Sequence, residues 1–186
     1  MRPSPHSNFG KANFGKVNFG LIKRLYFIAW VIWLADFATK TWALANLDSS
    51  NPIKVIGSFL QLTLVKNSGA AFSFAQGATA LFSIFACLVV AAIAYYSPRI
   101  TSKGWAIVLG LALGGILGNL SDRIFREPGF FTGHVIDWIE LPNWPVFNIA
   151  DSAIVVAAAI AVVLSIKDIS PIEPTSIEKK ENSEEA

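Results

Sequence analysis

The chain has 186 residues, of which 53% are hydrophobic and only 15% are charged, and its mean hydropathy of +0.51 is too high for an ordinary soluble domain. We therefore predict an integral membrane protein. The net charge is only +2 and the basic residues are spread among loops and tails, which argues against nucleic acid as a partner.

Both ends of the chain have compositions typical of disordered tails. Residues 8–20 repeat the motif Asn-Phe-Gly-Lys, which is too polar and too rich in glycine to pack a core. Residues 168–186 are acidic and interrupted by proline. We predict a disordered cytoplasmic extension over residues 1–24 and a disordered acidic cytoplasmic tail over residues 168–186.

Four apolar stretches approach the roughly 20 residues that a helix needs to cross a bilayer. They cover residues 25–44, 78–96, 105–120 and 147–166. They predict an all-α membrane fold with four transmembrane helices, contained in one domain over residues 25–167.

Basic side chains set the predicted orientation of these helices. They precede the first stretch, fill the loop between the second and third, and follow the fourth, at Lys11, Lys16, Lys23, Arg24, Arg99, Lys103 and Lys167. Because basic residues favour the cytoplasmic side, both termini are expected in the cytoplasm. The bias is moderate, since the predicted outer loops hold Lys54, Lys66, Arg123 and Arg126.

The segment between the first and second helices has a different pattern. Residues 53–65 are rich in β-branched and apolar residues, with Gly57-Ser58 as a turn. This pattern predicts strands that form a small extracytoplasmic platform, the only β-like part of the chain.

Small residues recur along the third helix. Gly110, Gly114, Gly115 and Gly118 have the spacing that lets helices approach closely in lipid, so helix packing is sufficient to explain them.

Polar residues converge at one side of the predicted membrane. Since the direction of successive helices alternates, the polar positions of all four fall in or near their outer halves: Asp36, Lys40, Asn67, Asn119, Asp122, Arg123, Asn148 and Asp151. Asp137 is placed in the loop between the third and fourth helices. This asymmetry predicts one site at the outer interface.

Two aspartates carry the chemistry that this site suggests. Asp151 falls inside the predicted start of a helix without a neighbouring base, and Asp137 precedes the same helix. Two carboxyls held close together cannot both ionise cheaply, so one can act as a base while the other acts as an acid. That is the chemistry of an aspartic peptidase.

Simpler structural explanations exist for the other polar residues. Asp36 and Lys40, four apart on one helix face, could form an ion pair with the lysine snorkelling outward. Asp122 and Arg123 could cap and anchor the third helix. Asn67 and Asn148 could satisfy loop backbone groups.

Other functions lack necessary parts. A serine hydrolase remains conceivable, because Ser68 or Ser73 with Lys40 or Lys66 would make a serine-lysine dyad. A metallopeptidase is not supported, because the sequence has no typical metal-binding cluster. The rival from another class is a small transporter or channel subunit whose acids relay protons, and such a relay would be expected to continue across the membrane.

The motifs resemble those of lipoprotein signal peptidase, the signal peptidase II family of bacterial membrane aspartic peptidases. The resemblance covers about residues 25–166. Five ordered segments carry it: Asp36-Phe-Ala-Thr-Lys40, Lys66-Asn-Ser-Gly-Ala-Ala-Phe-Ser73, Gly114-Gly-Ile-Leu-Gly-Asn-Leu-Ser-Asp-Arg123, Gly133-His-Val-Ile-Asp-Trp138 and Phe147-Asn-Ile-Ala-Asp-Ser152.

The resemblance implies that Asp137 and Asp151 are the catalytic dyad. It implies eight residues that bind substrate or support the site: Asp36, Lys40, Asn67, Gly69, Asn119, Asp122, Arg123 and Asn148. It further implies a monomer in the bacterial inner membrane that uses no metal or cofactor. The implied activity is removal of signal peptides from diacylglyceryl-modified prolipoproteins, with cleavage just before the lipidated cysteine. The implied inhibitor is the cyclic peptide globomycin. We expect membrane lipid to surround it, and the substrate's acyl chains to find room beside the small residues of the third and fourth helices.

The sequence departs from the family pattern in three places. Trp138 stands where the family usually has phenylalanine, residues 126–132 are longer than in compact members, and the repeated amino-terminal extension is atypical. The first two are expected to change the rim of the site and not its acids.

Overall fold

The computed structural model describes residues 17–69 and 76–172, and only the backbone of residues 76–78. The tandem repeat up to residue 16, the end of the Lys66–Ser73 motif and the tail beyond residue 172 lie outside these ranges. Predictions for those segments stay predictions.

Four α-helices make up most of the described chain. They are α1 (Phe19–Asn46), α2 (Gln76–Tyr96), α3 (Lys103–Phe125) and α4 (Ile149–Ile166). Within the described residues, three segments are long and apolar enough to cross a membrane, namely Thr79–Arg99, Lys103–Phe125 and Ile149–Ile166. The 28-residue α1 is not among them, because its four charged residues lower its apolar character.

Helix α3 is the centre of the bundle, and its glycines bring two neighbours close. A Cβ on Gly114 would stand 2.7 Å from the carbonyl oxygen of Ala29 in α1, and one on Gly115 would stand 2.5 Å from that of Ala150 in α4. Gly110 and Gly118 are equally crowded. The predicted role of these glycines in helix packing is confirmed. The space beside them is filled, so the expectation that they leave room for acyl chains is wrong.

Helix α2 occupies a peripheral place. In the parts of the chain that the structure describes, it packs on α3, and no Cα atom of α2 lies within 8 Å of one in α4. The apolar core lies where α1, α2 and α3 meet, around Leu25, Ile93, Ala106 and Leu113.

Three antiparallel strands form a sheet at one end of the bundle, in the order β1 (Ile53–Ile56), β2 (Leu60–Asn67) and β3 (Val135–Glu140). Strands over residues 53–65 are confirmed, with Gly57 at a positive φ of 52° in the turn. The prediction that they are the only β-like part is wrong, as is the placement of Asp137 in a loop. β3 adds to the edge of β2, with Asp137 opposite Val65.

The end that carries the sheet, called here the sheet end, is where α1 and α3 finish and α2 and α4 begin. All polar residues of the predicted site therefore meet there.

Both predicted tails overlap ordered structure. Helix α1 begins at Phe19 after Asn18, whose side chain caps it, so residues 19–24 are helical and not part of a disordered extension. After α4, Ile172 forms a β-bridge with Ile100, and Thr101 N donates to the carbonyl of Pro171. Residues 168–172 thus pack against the connection between α2 and α3.

Candidate active site

Asp137 lies in β3 and is almost completely buried, with 1% of its surface exposed. Its Oδ2 accepts a hydrogen bond from Asn67 Nδ2 at 2.8 Å, and its Oδ1 accepts one from Asn148 Nδ2 at 2.6 Å. Asn67 comes from the neighbouring strand β2 and Asn148 from the start of α4. Pairing of β2 with β3 therefore brings Asp137 to the first helical turn of α4.

Asp151 is held in that turn by a capping box, a reciprocal pair of bonds that satisfies free backbone N–H groups at a helix start. Asn148 Oδ1 accepts from Asp151 N at 2.9 Å, and Asp151 Oδ2 accepts from Asn148 N at 3.2 Å. The other oxygen, Oδ1, accepts from Asn119 Nδ2 of α3 at 2.7 Å. Both carboxylate oxygens of Asp151 are fixed in direction.

Asn148 connects the two aspartates. Its side chain is fully buried, contacts Asp137 through Nδ2 and accepts from Asp151 N through Oδ1. The alternative that Asn148 and Asn67 satisfy backbone groups is also correct, since Asn67 Oδ1 accepts from Gly69 N at 2.8 Å. Each amide thus orients a catalytic candidate with one end and a loop or helix start with the other.

The environment of Asp137 favours its protonated form. Burial away from water raises the pKa of this carboxyl to about 6, and the nearby charge of Asp151 also raises it. The hydrogen bonds from Asn67 and Asn148 and the charge of Lys40 act in the opposite direction without cancelling the effect of burial. A carboxyl that changes protonation near neutral pH suits acid–base catalysis.

Behind the aspartates lies a buried group of charges, called here the charge cluster, formed by Asp36, Lys40 and Asp122. Lys40 Nζ lies 2.7 Å from Asp36 Oδ2 and 2.9 Å from Asp122 Oδ2. It also donates to Asn119 Oδ1 at 2.9 Å. The ion pair of Asp36 with Lys40 is confirmed, but the lysine does not snorkel outward, because its side chain is fully buried among these partners.

The two acids of the charge cluster accept hydrogen bonds from the backbone next to Asp137 and Asp151. Asp36 Oδ1 accepts from the N–H of Ala150, the residue before Asp151, at 2.9 Å. Asp122 Oδ2 accepts from the N–H of Ile136, the residue before Asp137, at 3.1 Å. Lys40 holds both acids together, so the three charges fix the position of β3 relative to α4.

Arg126 adds a second cation to Asp122 at the edge of this cluster. The carboxylate of Asp122 therefore pairs with Lys40 and Arg126 and accepts a hydrogen bond from Ile136 N. Its contacts extend beyond the end of its own helix.

Arg123 and Gly69 brace the loop that follows β2. Arg123 Nη1 donates to the carbonyls of Asn67 at 3.3 Å and Gly133 at 3.0 Å. Gly69 has a φ of 83°, and a Cβ there would stand 3.3 Å from Arg123 Nη2. A side chain at position 69 would be strained and would press on the guanidinium.

A cleft of about 240 Å³ opens beside both aspartates. Asn67, Asn119 and Arg123 line it near the acids, as predicted. Sequence reasoning missed its other lining residues, which are Phe82, Ser83, Ala86, Ile116, Leu120, Val135 and Ile154. They are ordinary residues of apolar helices or strands, and no local signal distinguishes them from residues that face elsewhere.

Two of the departures noted in the sequence make contacts close to the site, and their effect on its rim stays a prediction. The indole of Trp138 packs edge to face against Trp42, with ring centroids 6.0 Å apart. The carbonyl of Phe131, in the longer stretch 126–132, accepts from Ser83 Oγ of α2 at 2.8 Å. This stretch therefore connects the sheet end of α3 to Ser83 of α2, which lines the cleft.

The serine-lysine alternative finds no support in the described residues. Lys40 Nζ is surrounded by Asp36, Asp122 and Asn119, whereas Lys66 is an exposed residue of β2. Ser73 lies outside the described residues.

Comparison with known proteins gives a consistent set of relatives. The family model described as signal peptidase (SPase) II matches residues 28–167. A lipoprotein signal peptidase of Leifsonia xyli subsp. xyli is 46% identical over 143 residues, which are 76% of this chain and 66% of that relative, just under two thirds of its length. One from Rhodococcus jostii is 46% identical over 147 residues, 79% of this chain and 74% of the relative.

Solved structures agree with the sequence matches. A bacterial membrane enzyme determined by the in meso method at 1.9 Å resolution has a TM-score of 0.70 and 26% identity to this chain. The similarity covers 83% of this chain and 98% of that one.

Proposed function

Because this chain belongs to the signal peptidase II family, we propose that it is an aspartic endopeptidase that removes signal peptides from bacterial prolipoproteins. One observation carries the catalytic assignment: Asp137 and Asp151 are buried or half-buried on one cleft and are bridged by Asn148. Such a pair can share a proton, as the chemistry requires.

In the proposed mechanism a water molecule held between the two carboxyls attacks the scissile carbonyl. One carboxylate takes the proton of the water, and the protonated partner polarises the carbonyl oxygen and later protonates the leaving amine. Burial favours the proton on Asp137, which we assign as the acid, with Asp151 as the base.

We also propose that α1 is a fourth transmembrane helix. Its 28 residues give a length of about 42 Å, which exceeds the hydrocarbon thickness. Asp36 and Lys40 are turned into the bundle and fully buried, so they do not face lipid. With basic residues at the opposite end, the sheet end faces outward from the bacterial inner membrane and both termini are cytoplasmic.

One chain supplies both aspartates and the hydrogen-bond partners that the described residues give them, so we propose a monomer as the active unit. The proposed substrate carries a diacylglyceryl group on the cysteine that follows the scissile bond, and globomycin is the proposed inhibitor. Both proposals rest on the family membership.

Lipidation of the substrate is expected to be necessary for fast cleavage. The acyl chains hold the modified cysteine at the membrane surface and so fix the depth of the adjacent peptide bond relative to the dyad. The purified protein should cleave a diacylglyceryl precursor peptide at least about tenfold faster than the same peptide with an unmodified cysteine. Product formation is measured by mass spectrometry in one detergent.

Two other results would count against this function. Equal rates on both peptides would indicate recognition of the peptide sequence alone. Absence of cleavage of the lipidated peptide, with the protein folded and able to bind globomycin, would contradict the proposed activity.

The rate should fall as the pH rises through the pKa of Asp137. The acid is protonated below about pH 6 and loses its proton above it, so kcat/KM is expected to decline about tenfold per pH unit on the alkaline side. Bound peptide excludes more water, so the corresponding limb in kcat should lie at higher pH. A kcat/KM that is flat from about pH 5 to about pH 8, in protein that stays folded, would rule out Asp137 as the acid.

A further inference from the structure

The connection between α3 and β3, residues 126–132, is called here the α3–β3 loop, and it folds back against the end of α3. Gly133 N, just after the loop, donates to the carbonyl of Arg123 at 3.1 Å. A Cβ on Gly133 would collide with the carbonyls of Asp122 and Arg126. The chain that leaves α3 at Phe125 has therefore returned to the last turn of the same helix at Gly133, and the loop does not rise away from the bundle.

The tip of the α3–β3 loop lies beside α2, at a level inside its apolar segment. The carbonyl of Phe131 accepts from Ser83 Oγ at 2.8 Å, and Ser83 is 2% exposed. The part of α2 that is long and apolar enough to cross a membrane begins at Thr79. At about 1.5 Å per residue, Ser83 lies roughly 6 Å further along the helix. A bilayer that covers this apolar segment therefore also reaches the loop tip.

The backbone of the loop is partly satisfied within the protein. The carbonyl of Gly129 accepts from Thr132 N at 3.0 Å and from Thr132 Oγ1 at 3.1 Å, and that of Glu127 accepts from His134 N at 2.9 Å. Irregular backbone in an apolar environment is tolerated only where its polar groups find partners. The N–H groups of Gly129 and Phe130 have no acceptor among the described residues. These groups favour the level of the headgroups, where water and lipid oxygens can accept.

Large apolar side chains cover the outer surface of the loop. Phe125, at the end of α3, is 83% exposed, and Phe130, at the loop tip, is 69% exposed. The ring of Phe130 lies against that of Phe131, with centroids 4.3 Å apart. Segments that lie in a membrane interface place phenylalanine rings at the boundary between headgroups and acyl chains. Lipid at this boundary is the surface that matches both the rings and their level.

We infer that the α3–β3 loop is inserted into the lipid leaflet at the sheet end of the bundle. Phe125 and Phe130 contact acyl chains, the loop backbone lies among the headgroups, and the hydrogen bond from Ser83 holds the tip at this depth. The loop leads directly into β3, so its insertion also fixes the depth of Asp137 in the membrane. The inference does not depend on the peptidase activity proposed above.

Nitroxide labels measure the depth of the loop directly. Cys87 is the only cysteine of the chain, so Cys87→Ala gives a cysteine-free background. In that background Phe130→Cys and, separately, Phe125→Cys are labelled and placed in vesicles of phosphatidylethanolamine and phosphatidylglycerol. Power saturation compares collisions of the label with oxygen, which concentrates in the bilayer, and with a water-soluble nickel chelate. Both labels should collide mainly with oxygen, at a depth of about 5–10 Å below the lipid phosphates.

Two control positions calibrate the measurement. Leu81 is 65% exposed on α2, just before Ser83, and a label on Leu81→Cys should be protected from nickel. Ser50 is exposed in the loop before β1, and a label on Ser50→Cys should collide with nickel. If the labels on the α3–β3 loop behave like the Ser50 label, the loop lies in water and the inference is wrong. Collisions with neither reagent would show that protein covers the loop, for example a second copy of the chain, and would also overturn the inference.

Removing the hydroxyl of Ser83 tests what holds the tip in place. Ser83→Ala should move the Phe130 label toward water, with fewer collisions with oxygen and more with the nickel chelate. The matched control is Ser165→Ala, because the Ser165 hydroxyl bonds to the carbonyl of Ala161 within α4, at 2.9 Å. This control should leave the depth of the Phe130 label unchanged. A depth that Ser83→Ala also leaves unchanged would overturn the assignment of Ser83 as the residue that holds the tip.

Discussion

Replacing Asp137 or Asp151 by asparagine is expected to lower the rate of signal-peptide cleavage by about 10⁴-fold or more. An amide has nearly the shape of a carboxylate but cannot transfer a proton. Each single change removes either the acid or the base, and the pair acts as a unit, so the double variant should be no worse than the singles by any large factor. Rates are measured on the diacylglyceryl precursor peptide.

Both replacements also disturb the hydrogen bonds of the site. Both oxygens of Asp137 accept from amide groups, those of Asn67 and Asn148, so an NH₂ at position 137 would face another NH₂. Thermal unfolding must therefore be measured beside activity. Asp151 faces the same difficulty with Asn119 and with the backbone N–H of Asn148.

Asp48→Asn is the matched control, since Asp48 is exposed in the loop before β1 and its described hydrogen bonds go to the neighbouring Ser49 and Ser50. It should cleave at the wild-type rate. Folded Asp137→Asn or Asp151→Asn protein with near-normal turnover would eliminate the dyad.

The sequence alone was sufficient to predict the helices and the end of the bundle at which most polar residues lie. Apolar length predicts helices, and alternation of their direction brings Asn119, Asp122 and Asp151 to one end without any knowledge of packing. Four transmembrane helices remain a proposal, since α1 is less apolar than the others. The strand β3 was missed because it is short and pairs with a strand far away in sequence. The run Val-Ile-Asp-Trp-Ile over residues 135–139, rich in β-branched and aromatic residues, is the signal that would have indicated it.

Two features could not be predicted because they depend on side-chain packing. The sequence allowed Lys40 to reach outward to water, and only the structure shows that Asp122 from another helix completes its burial. The cleft walls at Phe82, Ala86 and Ile154 are equally invisible in sequence, since exposure to lipid and exposure to a groove select the same apolar residues. That they line the cleft is visible only in the structure.

Replacing Lys40 by methionine is expected to destabilise the folded protein severely. Methionine has a similar length and no charge, so Asp36 and Asp122 would remain as buried carboxylates, and among the described residues only Arg126 would still form an ion pair with Asp122. Removing one partner of a buried ion pair costs about 3–5 kcal/mol, because the other charge is left uncompensated. The melting temperature should fall by many degrees, measured by thermal unfolding in detergent.

Activity should fall further than the loss of folded protein explains. Without Lys40, Asn119 Oδ1 keeps only the donor from Asn148 among the described residues and holds Asp151 less firmly. The hydrogen bonds of Asp122 to Ile136 N and of Asp36 to Ala150 N are also weakened. The expected signature in the remaining folded enzyme is a lower kcat with a KM close to that of the wild type, because the chemistry and not the binding of substrate depends on the dyad's geometry.

The double variant Asp36→Asn with Lys40→Met separates charge from packing. It removes one negative and one positive charge together, and the asparagine oxygen can still accept from Ala150 N. The carboxylate of Asp36, which Lys40→Met alone leaves unpaired, is absent from the double variant, so the double variant should be more stable than Lys40→Met. A purely steric role of Lys40 would not produce this non-additivity. Lys66→Met, at an exposed position of β2, should change neither stability nor kcat. If Lys40→Met were as stable and active as Lys66→Met, the charge cluster would not be what holds Asp137 and Asp151 in register.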